Sequence, residues 1–152
     1  MTQNNIANPR ARPDSIGVGD WSLDQHMTDK VAVPTADGKD ASVNLAGNFW
    51  PSIAPGSGSN WYDVPLSIML PKRGTGANLL VPVCLSASSV AYSSTRIENM
   101  FMSLGTAAGV AAAQVVAGSA AVVQDVDVAK VQAVLVDTFK QRIHGPPGSG
   151  AL

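Results

Sequence analysis

Between residues 86 and 98 the chain carries Ser86, Ser88, Ser89, Tyr92, Ser93, Ser94 and Thr95, then Arg96 and Glu98, before entering a stretch built from Gly and Ala. A helix made of such small residues has little side-chain bulk to bury, so its backbone is expected to lie close to something. Its first turn presents unpaired N–H groups and a partial positive charge of roughly half a unit. Arg96 and Glu98 stand at the mouth of that helix, with a solvated pair at a loop end as the plain alternative. A second constellation is Asp24 and His26, which share one face if the stretch is extended. An Asp can orient an imidazole, but no Ser or Cys has a sequence context that suggests a triad. Lys72 and Arg73 follow Pro71 on a turn, where solvation competes with a binding role. Two widely separated histidines and the single Cys84 make no metal-ligand cluster, so no metal is expected. Cys84 lies in the apolar run 78–85, where a buried, inert thiol is the expectation.

These residues must be held by one domain, because 152 residues allow one real core and not two ordinary ones. A formal net charge of −1 leaves no clustered basic footprint, which excludes phosphate-driven nucleic-acid binding. The N-terminus has no apolar stretch after its basic residues and does not read as a secretion signal, so a cytoplasmic location is expected. Leu104 to Val123 is long enough to span a membrane, yet its Ala and Gly give weak insertion drive, and no membrane partner is expected.

The pattern predicts a mixed α/β chain: short strands in the first two thirds, then two helices. Residues 1–14 are polar and carry two prolines, which predicts a loose arm ahead of a single domain over 15–143. Ser15–Trp21 reads as a strand, Asp37-Gly38 as a hairpin turn, and Ser42–Leu45 as the strand beyond it. Residues 62–71 and 78–85 are two extended apolar runs, the second expected to be a strand covered on both faces. One helix is predicted from Glu98 or Asn99 to Ala117 with Gly118 as its stop. Another is predicted from Asp127 to about Ile143, with Val128, Val131, Leu135 and Phe139 facing the core. A disordered tail is expected from His144 to residue 152.

From Tyr62 to Ala113 the chain resembles the C-terminal signature of the FAD-dependent oxidoreductases of the glutathione-reductase-like superfamily. The residues that carry the resemblance are Tyr62, Val64-Pro65, Pro71-Lys72, Asn78-Leu79-Leu80-Val81, Ser86-Ala87, Val90-Ala91-Tyr92, Ser94, Arg96, Glu98, Gly105 and Ala107-Ala108-Gly109. Weaker similarity extends from about Ser15 to Leu135. The resemblance implies the last part of a flavoenzyme. The N-terminal glycine turn of the nucleotide-binding unit is missing, since Gly17-Val18-Gly19 lacks the third glycine and a following helix.

It also implies that FAD is the cofactor, and that Ser94, Thr95, Arg96, Ile97, Asn99, Met100 and Gly105 lie along the pyrimidine edge of the flavin. There Arg96 would hold a substrate carboxylate or a flavin carbonyl, and His26 would have a substrate-side role. The implied chemistry is hydride transfer from a small organic substrate, with FAD binding by this chain alone expected to be weak or absent. The alternative is a non-catalytic descendant that acts through self-association or a partner chain. The chain departs from the family pattern at Ser89 (His in the family), Ser93 (Gly), Asn99 (Pro), Thr106 (Gln) and Leu66 (Tyr). These departures bear on catalysis more than on fold.

Overall fold

The computed structural model describes residues 1–7, 10–21, 23, 29–46 and 61–145 and is a mixed α/β arrangement, as expected. Strand β1 (Ser15–Gly19) pairs antiparallel with a strand far along the sequence, β4 (Tyr62–Pro65). Strands β2 (Asp29–Pro34) and β3 (Asp40–Ala46) form a separate antiparallel hairpin. Its turn falls at Asp37-Gly38, where Gly38 takes a φ of 74°, a left-handed conformation that glycine adopts without a Cβ penalty. Across that turn the Thr35 N–H donates to the Lys39 carbonyl oxygen at 2.8 Å.

Three further helices follow a short helix α1 (Gln3–Ala7) at the start of the chain. Helix α2 (Ser89–Thr95) begins at Ser88, whose hydroxyl accepts the Ala91 N–H at 3.2 Å. Helix α3 (Glu98–Val116) is the long Gly/Ala helix. It stops where Gly118 takes a φ of 72°, and the Ser119 N–H returns to the Gln114 carbonyl at 2.8 Å. Helix α4 (Val128–Asp137) is capped by Asp127, whose carboxylate accepts the Lys130 N–H at 3.2 Å. The Gln114 amide exchanges two hydrogen bonds with the Asp127 backbone, 3.1 and 2.9 Å, and so joins the end of α3 to the start of α4.

Both α3 and α4 pack on β1. The core they share contains Ile16, Tyr62, Val64, Met69, Leu104, Ala107, Ala111, Val131 and Leu135. Along α3 the buried positions are Met100, Leu104, Ala107 and Ala111, a helical spacing that puts one stripe on the sheet. Among the described residues α3 is the one helix long and apolar enough to cross a membrane, and little of that stretch is buried.

Several expectations are corrected. Residues 78–85 form no strand; Leu79, Val83 and Cys84 are exposed, and Cys84 is therefore not a buried thiol. Pro82 interrupts the run and has no N–H to give to a ladder, leaving isolated bonds such as Val81 N–H to Met69 O, 2.9 Å. The apolar run at 62–71 is a strand only to Pro65 and then a 3-10 turn over Leu66–Met69. The hydroxyl-rich stretch 89–95, for which no element is predicted, is helix α2. Helix α4 ends at Asp137 rather than near Ile143, Lys140 takes a φ of 54°, and Phe139 is exposed. The first residues, expected to be loose, include α1, whose Ile6 joins the core. The tail from residue 146 lies outside the described residues.

Candidate functional site

The expected site residues converge on the junction between α2 and α3. Arg96 ends α2, its N–H bonded to the Tyr92 carbonyl at 2.9 Å, and its side chain is exposed. Ile97, at ψ 138°, turns the chain out of α2 and serves as N-cap of α3. Being aliphatic, it offers no capping hydrogen bond, so it leaves the first amides of α3 without the partner that a Ser, Asp or Asn would supply. The Asn99 carbonyl oxygen of the side chain accepts the Met100 N–H at 2.8 Å, which satisfies the third amide of the helix locally. Glu98 adds a negative charge to the first turn, a favourable position against the helix dipole. The Tyr92 and Phe101 rings, 6.4 Å apart and tilted, hold the two helices against each other.

The other expected residues divide by where their side chains go. Ser94 and Thr95 are fully buried. Thr95 bonds back to the Ala91 carbonyl at 3.3 Å, and Ser94 donates to the Trp21 carbonyl at 2.5 Å while meeting the Tyr62 hydroxyl at 2.7 Å. Neither hydroxyl is turned outward toward a ligand. Met100 is buried in the core, whereas Asn99 and Gly105 are exposed. Among the described residues, a Cβ added at Gly105 or Gly109 would meet nothing within 4 Å beyond its own helix, so no contact there requires these residues to be small. His26 and Asp24 lie outside the described residues.

Gly17-Val18-Gly19 serves packing. A Cβ at position 19 would lie 2.1 Å from the Tyr62 Cζ, because the Tyr62 ring crosses β1 at that point. The glycine there answers to a tyrosine on the paired strand, and among the described residues the element after β1 is strand β2, not a helix that could form a phosphate turn.

Two polar constellations were not legible in the sequence. One is the buried chain Tyr62, Ser94 and the Trp21 carbonyl. Burial pushes the Tyr62 pKa up to about 12, against a smaller opposing effect of the Ser94 hydrogen bond and with a further raising effect of Asp20. The other centres on Asp63, buried at the edge of β4, whose carboxylate accepts the Arg12 N–H (3.0 Å), the Gly145 N–H (3.2 Å) and His144 Nδ1 (2.7 Å). With Gln141 Nε2 on the Ile16 carbonyl (2.7 Å) and Ser15 Oγ on the Ile143 carbonyl (2.5 Å), these bonds fasten residues 141–145 along the sheet. His144, expected in a disordered tail, is thus tied down. Both constellations join residues far apart in sequence, and a lone Tyr, Asp or His carries no local signal of such a partner.

Among the described residues no group of three or more His, Cys, Asp or Glu could hold a metal ion. For FAD, the exposed Arg96 and the uncapped start of α3 fit the polar edge of a flavin ring. The filled Gly17-Val18-Gly19 strand does not fit its pyrophosphate. A family model described as FAD dependent oxidoreductase matches residues 1–135. No curated protein and no solved structure matches the chain.

Proposed function

The chain belongs to the FAD dependent oxidoreductase family, and from that premise we propose that it is the C-terminal part of such an enzyme, the part that faces the polar edge of the flavin ring. The observation that carries this reading is the start of α3: an aliphatic N-cap leaves amide donors open, and an exposed arginine stands beside them. Bound FAD would supply the oxidation chemistry, taking up a hydride from a small organic substrate. The amides of Glu98 and Asn99 would donate to oxygen or nitrogen atoms on which negative charge develops, a fixed electrostatic contribution that needs no reorganisation during reaction. Arg96 would hold a carboxylate or carbonyl in place through its planar donor fork. Asn99 and Ile97 shape the rim. Ser94 and Thr95, their hydroxyls turned inward, act from behind the site rather than in it.

The test is a titration of the purified chain with FAD, read by quenching of flavin fluorescence and by a shift of the visible flavin band. Arg96→Ala is expected to weaken binding by about 10-fold or more, the usual magnitude for a lost charge-assisted hydrogen bond. Binding by the chain alone is expected to be weak, so the titration runs to high flavin concentration; equal affinities for the two proteins sink the reading.

The outward face of α3 favours a second reading, in which the chain acts without catalysis by associating with another copy or a partner chain. That face runs through Met102, Gly105, Gly109, Ala113 and Val116; Met102 is 74% exposed and Val116 89%. An uncharged stripe of this length is unusual on a solvated helix. Sedimentation velocity over a range of concentrations separates the two: a monomer at all concentrations removes the self-association reading.

A further inference from the structure

We infer that Tyr62 and Ser94 are positioning residues, whose hydrogen-bonded chain to the Trp21 carbonyl sets the α2–α3 junction, and with it Arg96 and the N-terminus of α3, against the β1–β4 sheet. The functional meaning of this brace rests on the reading of that junction as the flavin-facing site.

The direction of the chain follows from proton counting. Ser94 Oγ has one hydrogen and donates it to the Trp21 carbonyl at 2.5 Å, so the 2.7 Å contact with Tyr62 must use the phenolic hydrogen. Tyr62 donates to Ser94, and Ser94 donates to the backbone at the end of β1. Both hydroxyls are inside the protein: Tyr62 is 1% exposed and Ser94 0%. A buried hydroxyl costs desolvation unless it is bonded, so the phenol group is tolerated here through this one contact. A phenylalanine would fill nearly the same volume.

The path of the ring shows how specific the arrangement is. Tyr62 reaches Ser94 by lying across β1, and only a glycine at position 19 leaves room for it. Glycine, tyrosine and serine therefore form one unit assembled from three separated stretches of chain. Its far end is Ser94, two residues before Arg96. Helix α2 has seven residues, too few to hold a fixed direction through its own backbone bonds. Its start is held by the Ser88 cap and by the Ser88 N–H on the Met1 carbonyl at 2.9 Å. Its last turn is tied to the sheet by Ser94, while Thr95 bonds only within the helix. Because burial pushes the Tyr62 pKa up to about 12, the phenol stays a donor throughout the physiological range, and the brace does not switch with pH there.

The experiment compares the full chain with its Tyr62→Phe and Ser94→Ala variants by hydrogen–deuterium exchange and by FAD titration. In both variants exchange over residues 95–101 is expected to rise about tenfold, the consequence of losing one buried hydrogen bond, while α4 keeps its protection. Tyr62→Phe is also expected to weaken FAD binding several-fold and to shift the visible flavin band, a signature that overall stability does not produce. The double variant should behave as Ser94→Ala, since that change removes both links of the chain and Tyr62→Phe only the one to the phenol. Unchanged exchange at 95–101 in both variants overturns the proposal, and so does an equal rise in α4, which would mean general loosening. If one variant does not fold, the other carries the comparison. If the unaltered chain binds FAD too weakly to titrate, the exchange pattern alone decides whether the brace sets the junction.

Discussion

Two regions of this molecule carry a pair of glycines, and Gly19 in one meets a need that Gly105 and Gly109 in the other do not. On β1, Gly19 lies under the Tyr62 ring, so the space a side chain would need is taken by another part of the same chain. On the outer face of α3, Gly105 and Gly109 have nothing within 4 Å of where a Cβ would stand. Glycine is poor in both strands and helices, where it lowers stability relative to alanine. The β1 pair includes a residue that the internal packing demands. The α3 pair has no internal reason, which is why this face, together with the uncapped start of the same helix, is where a ligand or partner would account for the residues found there.

The largest expected contrast is across α3 itself. Leu104→Ala, on the buried stripe, should lower stability by about 2–5 kcal/mol in urea unfolding, whereas Met102→Ala, on the open stripe, should stay within about 0.5 kcal/mol. Equal costs would show that the outer face is covered in solution. Next comes Gly19→Ala, which forces a methyl into the Tyr62 ring and should cost about 1–3 kcal/mol, seen as a drop in Tm. No loss there would mean that the ring does not cross β1.

Alkaline pH probes the same ring chemically. The folded-state pKa of Tyr62, about 12, lies above the value of 10.0 for an unhindered phenol, so between these values the unfolded chain has released a proton that the folded chain keeps. Stability is therefore fully present below the unfolded value and is lost as pH rises from there toward the folded one, by about 3 kcal/mol in total. Urea midpoints measured across that window should fall for the unaltered chain, and this contribution should vanish in Tyr62→Phe. The smallest effect has the opposite sign. Gly109→Ala should raise stability by about 0.5–1 kcal/mol, because an exposed helix interior gains from alanine and nothing obstructs the methyl. If the same substitution weakened FAD binding or self-association while stabilising the fold, the comparison between the two glycine pairs would be sharpened into a functional one.

Much of the local structure was legible beforehand. The span of α3 and its stop at Gly118, the hairpin turn at Asp37-Gly38 and the strand from Ser15 followed from residues close together in the chain. So did the family, whose model matches residues 1–135. Helix α2 was missed because its seven residues include four Ser or Thr side chains, which compete with the backbone for hydrogen bonds and favour caps and turns. Here Ser93, Ser94 and Thr95 bond inward instead, to carbonyls and to Tyr62. Residues 78–85 were misjudged because an apolar run has no periodicity to separate a buried strand from an irregular segment, and Pro82 decides the matter only where the ladder would need its missing N–H.

What the sequence determined on its own is therefore what neighbouring residues can specify: helix limits, turn conformations and membership of a flavoenzyme family. The tertiary structure alone decided that Gly19 serves Tyr62, that Ser94 faces inward while Arg96 faces out, and that His144 is held by Asp63. The physical reason is that the first set depends on backbone preferences and hydrogen bonds closed within a few residues. The second depends on which side chains packing brings together across 32 to 81 positions of chain, a choice that no short window of sequence contains.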